Sequence, residues 1–364
     1  MFELLERGGL PGFVALLGRG DDVHVDAVGT TAVGGTEPMR RDTIFRITSM
    51  TKPIAAVATL SLVEEGLLDL DEPLDRLVPE LADRRVLRRL DGPVTDTEPA
   101  LRSLTTRDLL TLRMGFGFLV GDAQRHPILA AAEEHGVYMG PPRPADTVHP
   151  DEWLRRFARL PLMDQPGQRW RYDLAFSVLG VVIARAAGQP LPAVLLDRVL
   201  EPLGMRDTGF SVPPTDLHRL PPAYTAAGEV FDGAPDSQWA APPAFPDAAG
   251  GLVSTVDDVL SFARTLLAGG GPVLSAESVT AMTTNWLTSE QRAASDAVPV
   301  FLGDAGWGLG IGVEPDRYGW AGGLGTIWYA YPADGLVAIL LTQCVPPPGE
   351  LFDQFLRTVE AHRG

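Results

Sequence analysis

Ser49-Met50-Thr51-Lys52 sets a hydroxyl and an amine three residues apart. On a helix that spacing puts both side chains on one face, close enough to touch. A serine hydroxyl is a weak nucleophile until a base sits beside it. A lysine withdrawn from water can supply that help, as a neutral amine or as the charged partner of a phenolate. The start of a helix adds unpaired N–H groups and a positive potential, which favour a developing oxyanion. Taken alone, Ser49 is equally an ordinary helix cap. With 12 serines among 364 residues, a serine three places before a given lysine arises by chance roughly one time in 30. Lysine usage sharpens the pair. Lysine and arginine total 30, and Lys52 is the single lysine. Arginine is used wherever a positive charge suffices, so the lone lysine marks a place that needs a proton released near neutral pH, which arginine will not do.

Two further stretches carry polar or conformational signals. In Trp170-Arg171-Tyr172-Asp173-Leu174, a tyrosine just ahead of a helix can aim its hydroxyl into a cleft, although in isolation it reads as a packing residue. Trp320-Ala321-Gly322-Gly323-Leu324-Gly325-Thr326 places three glycines in a strand-like run. Glycines there mark a β-bulge or the close approach of a ligand or backbone, and an edge strand could offer an N–H to a substrate carbonyl. Other templates are missing. There is no Gly-x-Ser-x-Gly elbow, no phosphate-binding glycine loop, and the six histidines are scattered with no His-Glu-x-x-His, so no metal site is expected.

The elements that must position these residues follow from periodicity. Residues 12–29 read as two strands joined by a turn at Gly20-Asp21-Asp22. Residues 54–63 are apolar nearly all round, the pattern of a buried helix, and Pro53 fits only its first turn, so the helix begins near Ser49. Thr105 with Asp108 resembles a capping box. Residues 151–160, 176–187 and 191–203 carry helical periodicity, the last two ended by Gly188 and Gly204. Residues 213–246 are Pro/Ala-rich and read as a surface loop. Thr255 caps a helix through 267. Residues 307–313, 318–331 and 336–342 are strand-like, with a turn at 332–335, and a last helix covers 350–361. Strands at both ends of the chain around a helical middle predict an α+β lobe (residues 1–75 and 245–364) closed by the two termini, with an inserted helical lobe (residues 76–244). The cleft between them is the expected ligand site.

Composition restricts the partners. A net charge of −17 repels phosphate backbones and anionic lipid, so neither nucleic acid nor a membrane surface is expected as a partner. No run approaches the length of a membrane span. The first twelve residues have no basic region and no long apolar stretch, so a cytoplasmic location is expected. The one cysteine, Cys344, follows an apolar run and reads as a buried, inert thiol.

Taken in order, the three chemical stretches resemble the serine β-lactamase and penicillin-binding-protein superfamily, and most closely its class C-like branch of esterases and D-aminopeptidase-like hydrolases. The similarity spans nearly the whole chain. Phe45-Arg46-Ile47, the run Glu65-Gly66-Leu67-Leu68-Asp69-Leu70-Asp71-Glu72-Pro73, Leu109-Leu110-Thr111 and Gly250-Gly251-Leu252-Val253-Ser254-Thr255 support it. The resemblance implies an antiparallel sheet flanked by helices plus an all-helical lobe, with no cofactor. It implies Ser49 as nucleophile, Lys52 as its activating partner and Tyr172 as the tyrosine of a Tyr-x-Asn motif. It also implies an oxyanion hole from the backbone N–H groups of Ser49 and Gly323, with Trp320-Ala321-Gly322 in the place of the Lys-Thr-Gly strand.

Two positions depart from that pattern. Leu174 stands where the family usually has Asn, so a polar group facing both substrate and lysine is missing. Trp320 stands where β-lactamases and carboxypeptidases hold a cation for the substrate carboxylate, a contact worth ~1.5–3 kcal/mol. Both changes favour a neutral, apolar substrate, with Trp320, Gly322 and Leu174 lining its site. The expected activity is that of a carboxylesterase on small ester molecules. Acyl transfer, amidase or D-aminopeptidase action and weak β-lactamase action are the alternatives within the same chemistry, and a non-catalytic binding protein is the alternative outside it.

Overall fold

The computed structural model describes residues 1–2, 9–120, 126–346 and 349–363. Of the N-terminal stretch read above, residues 3–8 lie outside the described part. Strand Gly12–Arg19 turns through Gly20 and Asp21 into strand Asp22–Gly29, with Arg19 paired to Asp22. Gly20 has φ +53°, as a two-residue hairpin turn requires. Gly12–Arg19 pairs on its other side with Leu336–Leu341, Val14 opposite Leu341. The full sheet has seven strands in the order Asp22–Gly29, Gly12–Arg19, Leu336–Leu341, Thr326–Tyr331, Tyr318–Gly322, Gly312–Val313 and Gly306–Trp307. Every pairing is antiparallel. The two ends of the chain therefore meet within one sheet, as the strand pattern predicts.

Alternation shows how the sheet is covered. Val14, Leu16, Val337, Ile339 and Leu341 enter the main core, while Phe13, Ala15, Leu17, Leu336, Ala338 and Leu340 enter a second one. Helix Val256–Leu267 packs over the first face, and helix Gly349–Glu360 over the second through Leu351, Phe355 and Val359. A sheet covered on both sides explains why Leu336–Leu341 is apolar at every position. Helix Thr51–Glu64 is buried from Thr51 to Leu62 and packs against helix Ala175–Ala187. Among the described residues no single helix is long and apolar enough to cross a membrane.

Several helix ends follow their sequence signals. Gly188 closes Ala175–Ala187 in the left-handed region at φ +65°. Thr255 accepts a hydrogen bond from the Asp258 N–H. The Thr105–Asp108 capping box forms, on a helix of only five residues, Thr106–Leu110.

Other expectations need correction. The helix expected over 191–203 runs from Leu191 to Leu195 and continues as a π turn, Leu196–Leu200. The stretch 307–313 is two short strands, Gly306–Trp307 and Gly312–Val313, because its glycines bend the chain between them. The run 318–331 is a hairpin, Tyr318–Gly322 paired with Thr326–Tyr331. The segment 213–246 is not a plain surface loop. It forms strands Ala223–Thr225 and Val230–Asp232, pairs with Cys344–Val345, and buries Trp239. Cys344 is buried there, and burial pushes its thiol up from the usual range.

What holds that segment is a buried ion pair. Arg46, three residues before Ser49, donates from Nε to Asp232 Oδ2 at 2.8 Å and from Nη1 to the Pro221 carbonyl at 2.8 Å, and its Nη2 also contacts Asp232. Ser237 Oγ donates to the same carboxylate at 2.8 Å. Removing one member leaves the other charge buried without a partner. Asp232→Ala is expected to destabilise the fold by about 3–5 kcal/mol, read as a lower denaturant midpoint with little change in slope.

Candidate active site

Ser49 sits in a 3-10 turn, Thr48–Met50, which leads directly into helix Thr51–Glu64. Thr48 enters the turn at φ +42°. That region is rare for a β-branched residue and costs on the order of 1–3 kcal/mol, a distortion that collects at functional sites. The turn is pinned from two sides. The Ile47 N–H donates to the Leu252 carbonyl at 3.1 Å, and the Leu252 N–H donates to Thr51 Oγ1 at 3.2 Å. Ser49 remains half-buried, while its neighbours Thr48 and Met50 are buried.

Lys52 lies one turn below it and is fully buried. Its Nζ donates to Ser49 Oγ at 3.2 Å, to Asp173 Oδ1 at 2.6 Å and to the Ala249 carbonyl at 2.6 Å. Three acceptors match the three hydrogens of an ammonium. Burial by itself would drive the amine toward neutrality. The Asp173 carboxylate, Tyr172 and Asp247 together overcome it, so Lys52 stays above the ordinary lysine range.

Tyr172 completes the cluster. Lys52 Nζ is 4.7 Å from its ring centroid. The phenol interacts with the Ser49 hydroxyl and accepts a hydrogen bond from Trp320 Nε1 at 2.8 Å. Burial pushes the Tyr172 hydroxyl above its usual value, while the Lys52 charge and the bonds from Ser49 and Trp320 pull it down. An aromatic cage fixes the ring. Phe301 stacks on it at 4.3 Å and Trp170 at 5.5 Å, and Trp320 meets it at 5.7 Å. Trp320 is held in turn by the edge of Trp307 at 4.6 Å.

The hairpin opposite supplies the other wall. Strand Gly312–Val313 pairs with Tyr318–Gly322 only at Tyr318 and Gly319, which leaves Trp320, Ala321 and Gly322 without a strand partner on that side. The stretch is thus an inner strand with an open end, where the sequence suggested an edge strand. A Cβ at Gly322 would lie 2.3 Å from the Ile47 carbonyl oxygen and 2.4 Å from Thr48 Oγ1, so only glycine lets the strand approach the nucleophile turn. Gly323 is exposed at the tip, and Gly325 closes the loop at φ +83°.

The sequence-derived set therefore separates into groups. Ser49, Lys52, Tyr172 and Trp320 form one bonded cluster, and Gly322 sits against the turn that carries Ser49. Leu174 is buried at the start of helix Ala175–Ala187 and presents no surface to a ligand. The lysine contact expected to be missing with the Asn is supplied one residue earlier by Asp173, whose φ of +90° turns its carboxylate inward. Asp247 is a second carboxyl that sequence reasoning passed over. It binds the Ala249 N–H at 2.9 Å and interacts with Ser177, Lys52 and Asp173. Burial first, and then the repulsion of Asp173, push it up to about 6. No group of His, Cys, Asp or Glu arranged to hold a metal ion occurs among the described residues.

A sequence model of the Beta-lactamase family matches residues 1–363, and the chain belongs to that family. It is a serine hydrolase with the β-lactamase/transpeptidase-like fold. The chain is 37% identical to Protein Rv1367c of Mycobacterium tuberculosis over 369 residues, covering 94% of this chain and 88% of the relative. It is 33% identical to Esterase EstB of Burkholderia gladioli over 373 residues, covering 93% and 88%. Among solved structures, EstCE1, described as a hydrolase with promiscuous acyltransferase activity, superposes with a TM-score of 0.77 at 26% identity, covering 96% of this chain and 93% of that one.

Trp320→Phe keeps the ring against Tyr172 and removes one neutral hydrogen bond. Hydrolytic kcat/KM is expected to fall roughly two- to tenfold, and the rising limb of its pH profile to move to higher pH. Asp247 gives a stability test. Its carboxyl binds a proton more tightly folded than unfolded, so its contribution falls as pH rises from its ordinary value of 3.8 to about 6. Asp247→Asn is expected to gain stability over the native chain across that window in paired denaturation curves, and none below it.

Proposed function

We propose that the protein is a carboxylesterase that works through a covalent acyl-enzyme on Ser49 and takes neutral, short-acyl esters. The observation that carries this reading is the contact of the Ser49 hydroxyl with Lys52 at 3.2 Å beside Tyr172, capped by an indole and not by a cation. Ser49 Oγ attacks the ester carbonyl, and its proton passes into the Tyr172–Lys52 pair. The oxyanion takes the backbone N–H groups of Ser49 and Gly323. The proton then returns to the departing alcohol, and water releases the acid by the same steps in reverse. The lobes of residues 1–75 with 245–364 and of residues 76–244 enclose the cleft.

Trp320 sets the substrate class. A carboxylate-bearing substrate finds no cation there, and it meets the two carboxyls of Asp173 and Asp247 as well as a chain of net charge −17. The relationship to Esterase EstB supports the ester reading. The likeness to EstCE1 supports a second one on the same site, in which an alcohol replaces water as acyl acceptor.

The test is a chain-length series of p-nitrophenyl acyl esters, with acyl-Ser49 detected by mass spectrometry. Short esters are expected to be hydrolysed. Ser49→Ala is expected to abolish turnover, and Lys52→Arg to cost nearly as much, because the larger planar guanidinium keeps the charge but cannot reproduce the contacts of the ammonium with Ser49, Asp173 and the Ala249 carbonyl. Efficient nitrocefin turnover would contradict the role given to Trp320. A chain that gains no mass on Ser49 from a phosphonate ester is a binding protein that keeps the fold. Added alcohol that diverts the acyl group establishes transfer.

A further inference from the structure

Lys52 has more negative charge around it than its activation of Ser49 needs. Asp173 touches it, Asp247 lies close by, and the Ala249 carbonyl takes its third hydrogen. The groups facing the amine are these three together with Ser49, the Tyr172 phenol and the Phe176 ring at 5.9 Å. No arginine is among them. Asp173 reaches this position only by holding a backbone angle of φ +90°, and its carbonyl at the same time accepts the Phe176 N–H at 3.0 Å in the opening turn of helix Ala175–Ala187.

We propose that Asp173 is a positioning residue that fixes Lys52 as an ammonium throughout the reaction, so that the Tyr172 oxygen alone accepts the Ser49 proton. This deepens the esterase reading and rests on it. The resting site holds an ammonium and a phenol, and loses one proton to solvent to become ammonium and phenolate. As Ser49 Oγ bonds to the carbonyl carbon, its proton moves to the Tyr172 oxygen, and the carbonyl electrons move to the oxyanion. When the tetrahedral species collapses, the phenol returns that proton to the leaving alkoxide. Lys52 neither gains nor loses a proton. Without the Asp173 charge, the site that has lost one proton would instead hold a neutral amine and a phenol, and the Ser49 proton would then go to the amine 3.2 Å away and no longer to the Tyr172 oxygen.

The composition makes the test direct. Lys52 is the only lysine, so a chain labelled at lysine Cε and Nζ gives one nuclear magnetic resonance signal that needs no assignment, provided any tag lacks lysine. In the native protein that signal is expected to stay in the ammonium range across the whole rising limb of kcat/KM against pH. In Asp173→Asn the lysine is expected to titrate about one to three pH units lower, now in step with the limb. The limb itself moves to lower pH, because the carboxylate no longer repels the phenolate. The upper plateau falls by about tenfold or more, because direct contact favoured the ammonium more strongly than the charge disfavoured the phenolate. Asp173→Gly separates strain from charge: glycine relaxes φ +90°, so its melting temperature is expected to lie above that of Asp173→Asn while the plateau still falls. A native lysine signal that converts to free amine along the limb overturns the proposal. So does a lysine titration unchanged in Asp173→Asn. Labelling of Ser49 by a phosphonate ester is scored separately. Its failure removes the esterase reading itself, whereas a labelled Ser49 with a titrating native lysine removes only the role of Asp173.

Discussion

Everything in the site depends on one buried cation. Lys52 has no contact with water, and its three hydrogens go to Ser49, Asp173 and the Ala249 carbonyl. A charge in that position is tolerated only with partners on every side, and those partners come from far apart in the chain. The nucleophile turn, the start of helix Ala175–Ala187 and the Asp247–Gly251 stretch must therefore converge before the amine can be enclosed. The strained φ values of Thr48 and Asp173 mark where the backbone gives way to that demand.

The aromatic cage does for Tyr172 what the ion pair does for Lys52. Phe301, Trp170 and Trp320 exclude water from the phenol, which strengthens every charge effect on it, and the Trp320 N–H is the one polar contact they return. An indole in place of a cation thus has two consequences at once. Under the proposed esterase reading it leaves an anionic substrate without an anchor, and it orients the phenol.

Legibility in the sequence followed the range of the interactions. The Ser49–Lys52 contact is set by helix geometry over three residues, so spacing alone exposed it. Gly12–Arg19 and Leu336–Leu341 are legible as strands because each is a short apolar run bounded by turn residues, while which side chain faces which core is not, since the runs show no polar alternation. Tyr172 and Trp320 emerged through their order along the chain and the resemblance to a family, since neither motif is specific alone. Asp173 escaped because its bond to Lys52 spans 121 positions and requires a backbone angle that no pattern announces. Asp247 escaped for a similar reason: only the fold brings it near the amine. The segment 213–246 was misread because strands of three residues carry almost no periodicity, and the Arg46–Asp232 pair that holds them is invisible without the fold.

The pairing of Gly12–Arg19 with Leu336–Leu341 also fixes when activity can arise. A chain synthesised only as far as helix Val256–Leu267 already contains Ser49, Lys52, Tyr172 and both carboxyls. It lacks the indole, the Gly322–Gly325 hairpin and the strand that joins the first hairpin to the rest of the sheet. Such long-range closure is slow and comes late. A nascent protein at that stage carries its reactive groups without the indole and the hairpin that complete their surroundings in the finished fold.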